Sequence, residues 1–248
     1  MKPEYQLHTL EERPEFLADI ERLSSASWPR FMLNGVSGWD LIYGEFAKYQ
    51  LLLCDDADHL IAVGHTVPMV WNGLADDLPE TIEGIIESAN QARRAQTAPN
   101  TFSALAAMVD PTLRGNDLST AILLEMKRLA ARHGCSNLVA PVRPTLKSRY
   151  ALTPMEQYIQ WTRTDGALLD PWLRIHQRLG ARGLAIAPKT LTVEATVEDW
   201  EAWTDMAFPE SGLYIVPGAL QPVSIDRERN VGIYHDPNYW MQHKVDLQ

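Results

Sequence analysis

Met108-Val109-Asp110-Pro111-Thr112-Leu113-Arg114-Gly115-Asn116-Asp117-Leu118-Ser119, continuing to His133-Gly134, is the stretch on which the fold turns. Before it, Phe102 to Val109 reads as a central buried strand. After it, Leu118, Ile122, Met126 and Leu129 form an apolar stripe at helical spacing that stops at His133-Gly134. A strand that passes through a tight turn into a helix leaves backbone N–H groups without intrahelical partners. It also aims the positive end of the helix dipole at one spot, and an anion such as a pyrophosphate can sit there.

Working outward, strand-like and helix-like pieces alternate, which predicts a mixed α and β fold. Tyr5 to Leu10 alternates as a strand does, and Pro14 to Leu33 carries Phe16, Leu17, Ile20 and Leu23 at helical spacing. A second helix is expected from Trp39 to Ala47. Tyr49 to Cys54 and His59 to Trp71 read as a hairpin around Asp55-Asp56-Ala57-Asp58. Asp76 to Asn100, with Ile82, Ile85 and Ile86 on one face, reads as an amphipathic helix. Asn137 to Val142 is the next strand. Asp170 is placed to cap a helix that begins at Pro171 and ends at Gly180. Leu184 to Ala187 and Leu191 to Val197 are expected as two further strands joined by Pro188-Lys189, with Trp200 and Trp203 on a short helix beyond them. After Phe208, prolines at 209, 217, 222 and 237 divide the chain into short extended pieces. Their aromatic residues require that this extension pack on the same domain or form an oligomer interface, as in a homodimer.

Composition limits what such a fold can do. The 248 residues carry a formal net charge of -10, which argues against nucleic acid or an anionic membrane surface as partner. An anionic ligand must therefore be held by local positive groups. No apolar run approaches the length of a bilayer span, and no leader peptide is recognisable, so the sequence reads as a soluble cytoplasmic protein. Cys54 and Cys135 are the only cysteines; they suit neither a disulfide framework nor a metal spacing, and read as buried apolar residues. His235, Asp236 and His243 match no established ligand pattern, so no metal is expected.

The strand, turn and helix around Arg114 resemble motif A of the GNAT superfamily of acyl-CoA-dependent acyltransferases. That motif reads Gln or Arg, two residues, Gly, one residue, Gly or Ala. Arg114 fills the first position and Ser119 the last, and Asp117 stands where the family has its central glycine. The resemblance covers residues 1–206, with 207–248 as a C-terminal extension. It implies a GNAT-like, mostly antiparallel central sheet with helices on both faces and an extended C-terminal tail. It also implies acetyl-CoA or another acyl-CoA as co-substrate, no metal, and a small-molecule amine as acceptor.

By the same resemblance, backbone groups near Met108 and Val109 would bond the pantetheine arm. Arg114, Gly115, Asn116, Asp117, Leu118 and Ser119 would surround the pyrophosphate, where the Asp117 carboxylate is repulsive unless it turns away or pairs with Arg114. Arg143, Lys147 and Arg149 are the positive groups expected to compensate, against the plainer reading of a solvated basic turn. The segment Leu173 to Ala181 resembles the family's Tyr-x-x-x-Gly-Phe pattern, and His176 falls at the tyrosine position, where an imidazole could protonate the departing thiolate. The plainer reading of His176 is a packed histidine. No acidic residue falls within Phe102 to Met108 to act as general base; Glu45, Asp56, Asp165 and His65 are the candidates elsewhere, and the sequence does not choose among them. An acyl-CoA-dependent N-acyltransferase is the leading reading. The alternatives are a decarboxylase or S-acyltransferase working on a CoA or carrier-protein thioester, and a non-catalytic binding module.

Overall fold

The computed structural model describes residues 4–33, 36–113 and 115–247. They form two compact units: residues 1–27, 37–140 and 242–248 make the first, and 28–36 with 141–241 the second. This division does not fall at residue 206.

In the first unit, strands β1 (Gln6–Thr9), β2 (Leu51–Cys54), β3 (Leu60–Met69), β4 (Thr101–Val109) and β5 (Asn137–Val142) lie side by side in that order. The first three junctions are antiparallel and β4–β5 is parallel. Every residue of β2 and nearly every residue of β3 is buried, as their largely apolar sequences require, with His65 and Thr66 the polar residues buried in β3. The helices are α1 (Leu17–Ser27), α2 (Trp39–Tyr43), α3 (Ile82–Arg94) and α4 (Leu118–Arg132). α1, α2 and α3 are shorter than the stretches expected for them, since Pro29 follows the end of α1 and Thr81 caps α3 by accepting from Gly84 N at 3.0 Å, whereas α4 fills its expected span. Cys54 and Cys135 are both buried thiols, held above the usual range by burial.

Helix α4 lies close on β3. A Cβ on Gly64 would stand 2.6 Å from Met126 Cε and 2.9 Å from Ile122 Cγ1, so only glycine lets the helix seat there. On the same helix, buried Glu125 accepts from the Tyr5 hydroxyl at 2.8 Å and is ion-paired with Arg128.

In the second unit, α5 (Met155–Tyr158) and α6 (Pro171–Arg178) precede β6 (Arg182–Ala195), α7 (Val197–Thr204), β7 (Gly212–Tyr214), β8 (Val223–Asp226) and β9 (Val231–Lys244), of which residues 242–244 count with the first unit. The two strands expected on either side of Pro188 are one strand, β6. Among the described residues it pairs with β9 alone, and Pro188 sits at an exposed position of this edge strand, the kind of place where proline is tolerated. Residues 207–248, expected as an extension packed on the same domain or at an oligomer interface, supply β7, β8 and β9. The Thr196 side chain and Asp199 form a reciprocal cap on α7. Trp200 is wholly buried, donates Nε1 to Gly232 O at 2.9 Å and packs with Phe31, Phe208 and Tyr234 in the core of this unit. Trp203 is packed against the same cluster.

Candidate active site

The central feature of the first unit is where β4 and β5 part. Their ladder joins Thr101 to Asn137, Phe102 to Leu138 and Ser103 to Val139, and stops there while β4 runs on to Val109. The cause is a bulge. On the other edge of β4, Ala106 pairs with His65 and Ala104 with Thr66, which leaves Leu105 as an extra residue. A bulge bends its strand, and this one falls two residues after the last pair with β5. Leu105, Ala106, Ala107 and Val109 are accordingly only half-buried in an otherwise central strand.

Strand alternation then fixes which backbone groups face the opening. Asp110 donates its N–H to Ile61 O at 3.0 Å, so Val109, one residue earlier, directs its N–H and C=O to the edge that β5 leaves. Met108 turns its backbone groups toward β3 and its side chain is buried. Of the two residues expected to bond a pantetheine arm, Val109 is the one presented.

Beyond β4 the turn is built by Asp110, whose Oδ1 accepts from Thr112 N at 2.9 Å and from Thr112 Oγ1 at 2.6 Å; these bonds hold its carboxyl below the usual range. Gly115 lies at φ +93° and Asp117 at φ 56°, ψ 10°, both left-handed. Asp117 therefore takes up the conformation a glycine at this position would supply, and aspartate is among the few side chains that tolerate it. Its carboxylate is exposed and makes no cap hydrogen bond. Its carbonyl accepts from Thr120 N at 3.0 Å and Ala121 N at 2.9 Å, so the helical ladder begins there and the amides of Leu118 and Ser119 lie ahead of it. Gly115 and Asn116 are exposed, Ser119 is half-buried, and Leu118 buries its side chain to anchor the turn. Arg114 lies outside the described residues.

Removing the Cβ from a left-handed residue relieves strain. Asp117→Gly is expected to stabilise the fold by up to about 1 kcal/mol, read by thermal unfolding. With the carboxylate gone, CoA should also bind more tightly in a calorimetric titration. Weaker binding would show that the carboxylate serves the ligand.

His176 belongs to the second unit. Asp170 caps α6 as the sequence predicts, accepting from Trp172 N at 3.0 Å and Leu173 N at 3.2 Å, with Pro171 at the first helical position. Gly180 ends the helix at φ +85°. His176 lies on the buried face of α6, edge-on to Trp172 with ring centroids 4.4 Å apart. The structure thus gathers Met108, Val109 and the turn in one unit and His176 in the other.

The basic residues after β5 have other employment. Arg143 donates Nε to both oxygens of Asp236, at 3.0 and 3.1 Å, and Nη2 to Gly218 O at 2.7 Å. Lys147 is buried, with Nζ donating to Leu220 O at 2.6 Å and Tyr150 O at 3.0 Å, and burial lowers its pKa. Only Arg149 is exposed, so this group is neither a solvated turn nor an anion clamp. Of the candidate bases, Glu45 pairs with Arg93 at 2.9 Å, Asp56 is an exposed turn residue and Asp165 faces Arg163 at 3.9 Å on the surface. His65 is buried beside the bulge; nothing in the sequence links it to its partner Gln50, which only folding brings near. Among the described residues, no group of three or more His, Cys, Asp or Glu side chains could hold a metal ion. No helix among them is long and apolar enough to cross a membrane.

A bulged strand parting from its parallel neighbour and leading through a left-handed turn into a helix is the frame of an acyl-CoA-dependent acyltransferase, and comparison with known proteins agrees. The chain is 31% identical to the arginine N-acetyltransferase avaD of Aspergillus versicolor, over 99% of this chain and 96% of that one. No family model matches. In fold it is similar to the loading GNATL domain of CurA from Lyngbya majuscula, with a TM-score of 0.62 at 18% identity over 98% of both chains. It is equally similar to the GphF GNAT-like decarboxylase in complex with isobutyryl-CoA, with a TM-score of 0.62 at 15% identity over 97% of this chain and 100% of that one. The chain belongs to the GNAT superfamily.

Proposed function

We propose that this protein transfers an acyl group, acetyl in the first instance, from a CoA thioester to the nitrogen of a small amine, and that the amine is arginine or a close relative of it. The observation that carries the reading is the edge of β4 beyond Ser103. It offers Val109 backbone groups to an extended pantetheine and leads into the exposed turn at Gly115 to Asp117. The acceptor class rests on the full-length likeness to a protein named for arginine.

In this reading the amides from Gly115 to Ser119, the Ser119 hydroxyl and the Arg114 guanidinium hold the pyrophosphate. The amine nitrogen attacks the thioester carbonyl carbon, the C–S bond breaks, the electron pair left on sulfur takes a proton from His176, and the acylated nitrogen sheds its extra proton to solvent, from which His176 regains the one it gave. An amine that is already neutral needs chiefly to be positioned, so a dedicated carboxylate base is not required. A carrier-protein thioester is a further acyl donor of the same chemistry, and a homodimer a further state to measure.

The test is incubation of the purified protein with acetyl-CoA and a panel of amines, with products read by mass spectrometry and free CoA by thiol titration. N-acetylarginine and stoichiometric CoA are expected. Loss of CO2 from malonyl-CoA with no acylated amine from any donor would replace this reading with a thioester decarboxylase.

A further inference from the structure

The first unit holds a buried polar relay behind the bulge of β4 that the reading above does not use. Gln50 is fully buried, and its Nε2 donates to two backbone carbonyls, Phe46 O at 2.7 Å and Thr66 O at 2.9 Å. The amide is thereby oriented, and its Oε1 faces Thr66 N at 3.2 Å and His65 Nδ1 at 3.1 Å. An acceptor facing Nδ1 requires that nitrogen to carry the proton. Burial pushes the His65 pKa down to about 3, so the ring is neutral and Nε2 carries a lone pair. That Nε2 is buried, and no group among the described residues hydrogen-bonds to it. Folded proteins keep few buried acceptors without a donor, and a donor brought by a ligand accounts for this one.

Its surroundings define the ligand. Trp39 and Tyr43, stacked on each other with centroids 5.6 Å apart, both meet the His65 ring edge-on, at 5.1 and 5.7 Å. Burial and, after it, the charge of Glu21 push the Tyr43 phenol up to about 12, so it stays an O–H. A lone pair, two aromatic rings and a nearby carboxylate together suit a cation rich in N–H donors. Both rings are only half-buried and ride on the five-residue helix α2 between Gly38, at φ +89°, and Gly44, so a ligand reaches Nε2 by displacing a ring. His65 also pairs with Ala106, in the part of β4 whose other edge β5 has left.

We propose that His65, with Trp39 and Tyr43, binds the acceptor of the transfer reaction by taking an N–H hydrogen bond from its guanidinium or ammonium group on Nε2. The inference rests on the N-acyltransferase reading for its place in the reaction, but the binding site can be tested without turnover.

His65→Phe keeps a ring and removes the lone pair. With L-arginine and acetyl-CoA, the variant is expected to raise the KM for arginine about tenfold or more, the scale of one lost hydrogen bond to a charged donor. The KM for acetyl-CoA and the thermal midpoint should change little. Citrulline, the neutral isostere, should be a poor acceptor for the wild type, and the preference for arginine should narrow in the variant. An arginine KM within twofold of wild type overturns the proposal. If the wild type acylates no amine, the transfer reading fails separately, and calorimetric titration with L-arginine decides the site: binding that His65→Phe abolishes upholds it, while no binding, or equal binding, overturns it. Should His65→Phe not fold, Trp39→Leu, changed at the half-buried side, is expected to shift the arginine KM in the same direction, and an unchanged value overturns the proposal.

Discussion

Asp236→Ala is expected to lower the unfolding free energy by about 3–5 kcal/mol, the usual result of removing one partner of a buried ion pair. Asp236 is 1% exposed and binds Arg143 Nε through both oxygens, while Oδ1 also accepts the Tyr234 hydroxyl at 2.5 Å. Burial, and then the adjacent carboxylate, hold the Tyr234 phenol well above the ordinary tyrosine range, so it donates throughout the physiological range. Its oxygen in turn accepts from Leu220 N at 2.9 Å. Truncation leaves a guanidinium, 17% exposed, without its counter-charge and a phenol without its acceptor. Asp236→Asn keeps an acceptor and should lose less. Denaturant unfolding of both variants checks the order, and a loss below about 1 kcal/mol for Asp236→Ala would mean that water replaces the carboxylate.

The second large effect is on turnover. Under the proposed function, His176→Gln is expected to lower kcat by roughly 10²- to 10⁴-fold, the range of a general acid, with the affinity for acetyl-CoA unchanged. Glutamine can still hydrogen-bond but cannot give up a proton at neutral pH. The measurement also separates the two roles open to a buried residue set edge-on to Trp172. Unchanged kcat with a lowered thermal midpoint would make His176 a packing residue of α6.

Local signals were the legible ones. The cap at Asp170, the proline at the start of α6, the stops at Gly134 and Gly180 and the span of β5 could all be read because each depends on neighbouring residues. Prolines misled in the second unit. A proline marks a break only where its N–H is needed, and whether a strand lies at a sheet edge is decided by distant partners, as at Pro188. The turn at Asp117 was legible in position but not in conformation, since a non-glycine residue reads as a departure until its φ is known. The sequence offers Arg143 and Lys147 as an anion clamp or a solvated turn and shows neither of their true employments, because their acceptors, Asp236 and Leu220, lie 93 and 73 residues away. Likewise His65 could be named but not oriented: Gln50, which fixes its tautomer, precedes it by 15 residues across a hairpin.

The first unit is discontinuous along the chain. Gln242 Nε2 donates to Asn137 Oδ1 at 2.7 Å, Lys244 Nζ reaches the same oxygen at 3.0 Å, and Val245 N bonds to Ser136 O at 3.0 Å. These contacts span more than a hundred residues, 105 in the case of Asn137 and Gln242. On the ribosome, the segment that flanks β5 is therefore synthesised only after the whole of the second unit has emerged. Closure of such distant segments carries a large loop entropy and slows folding. Completion of the first unit consequently waits on residues 242–245, and until they arrive the start of β5 is an open strand edge within reach of chaperones or of other nascent chains.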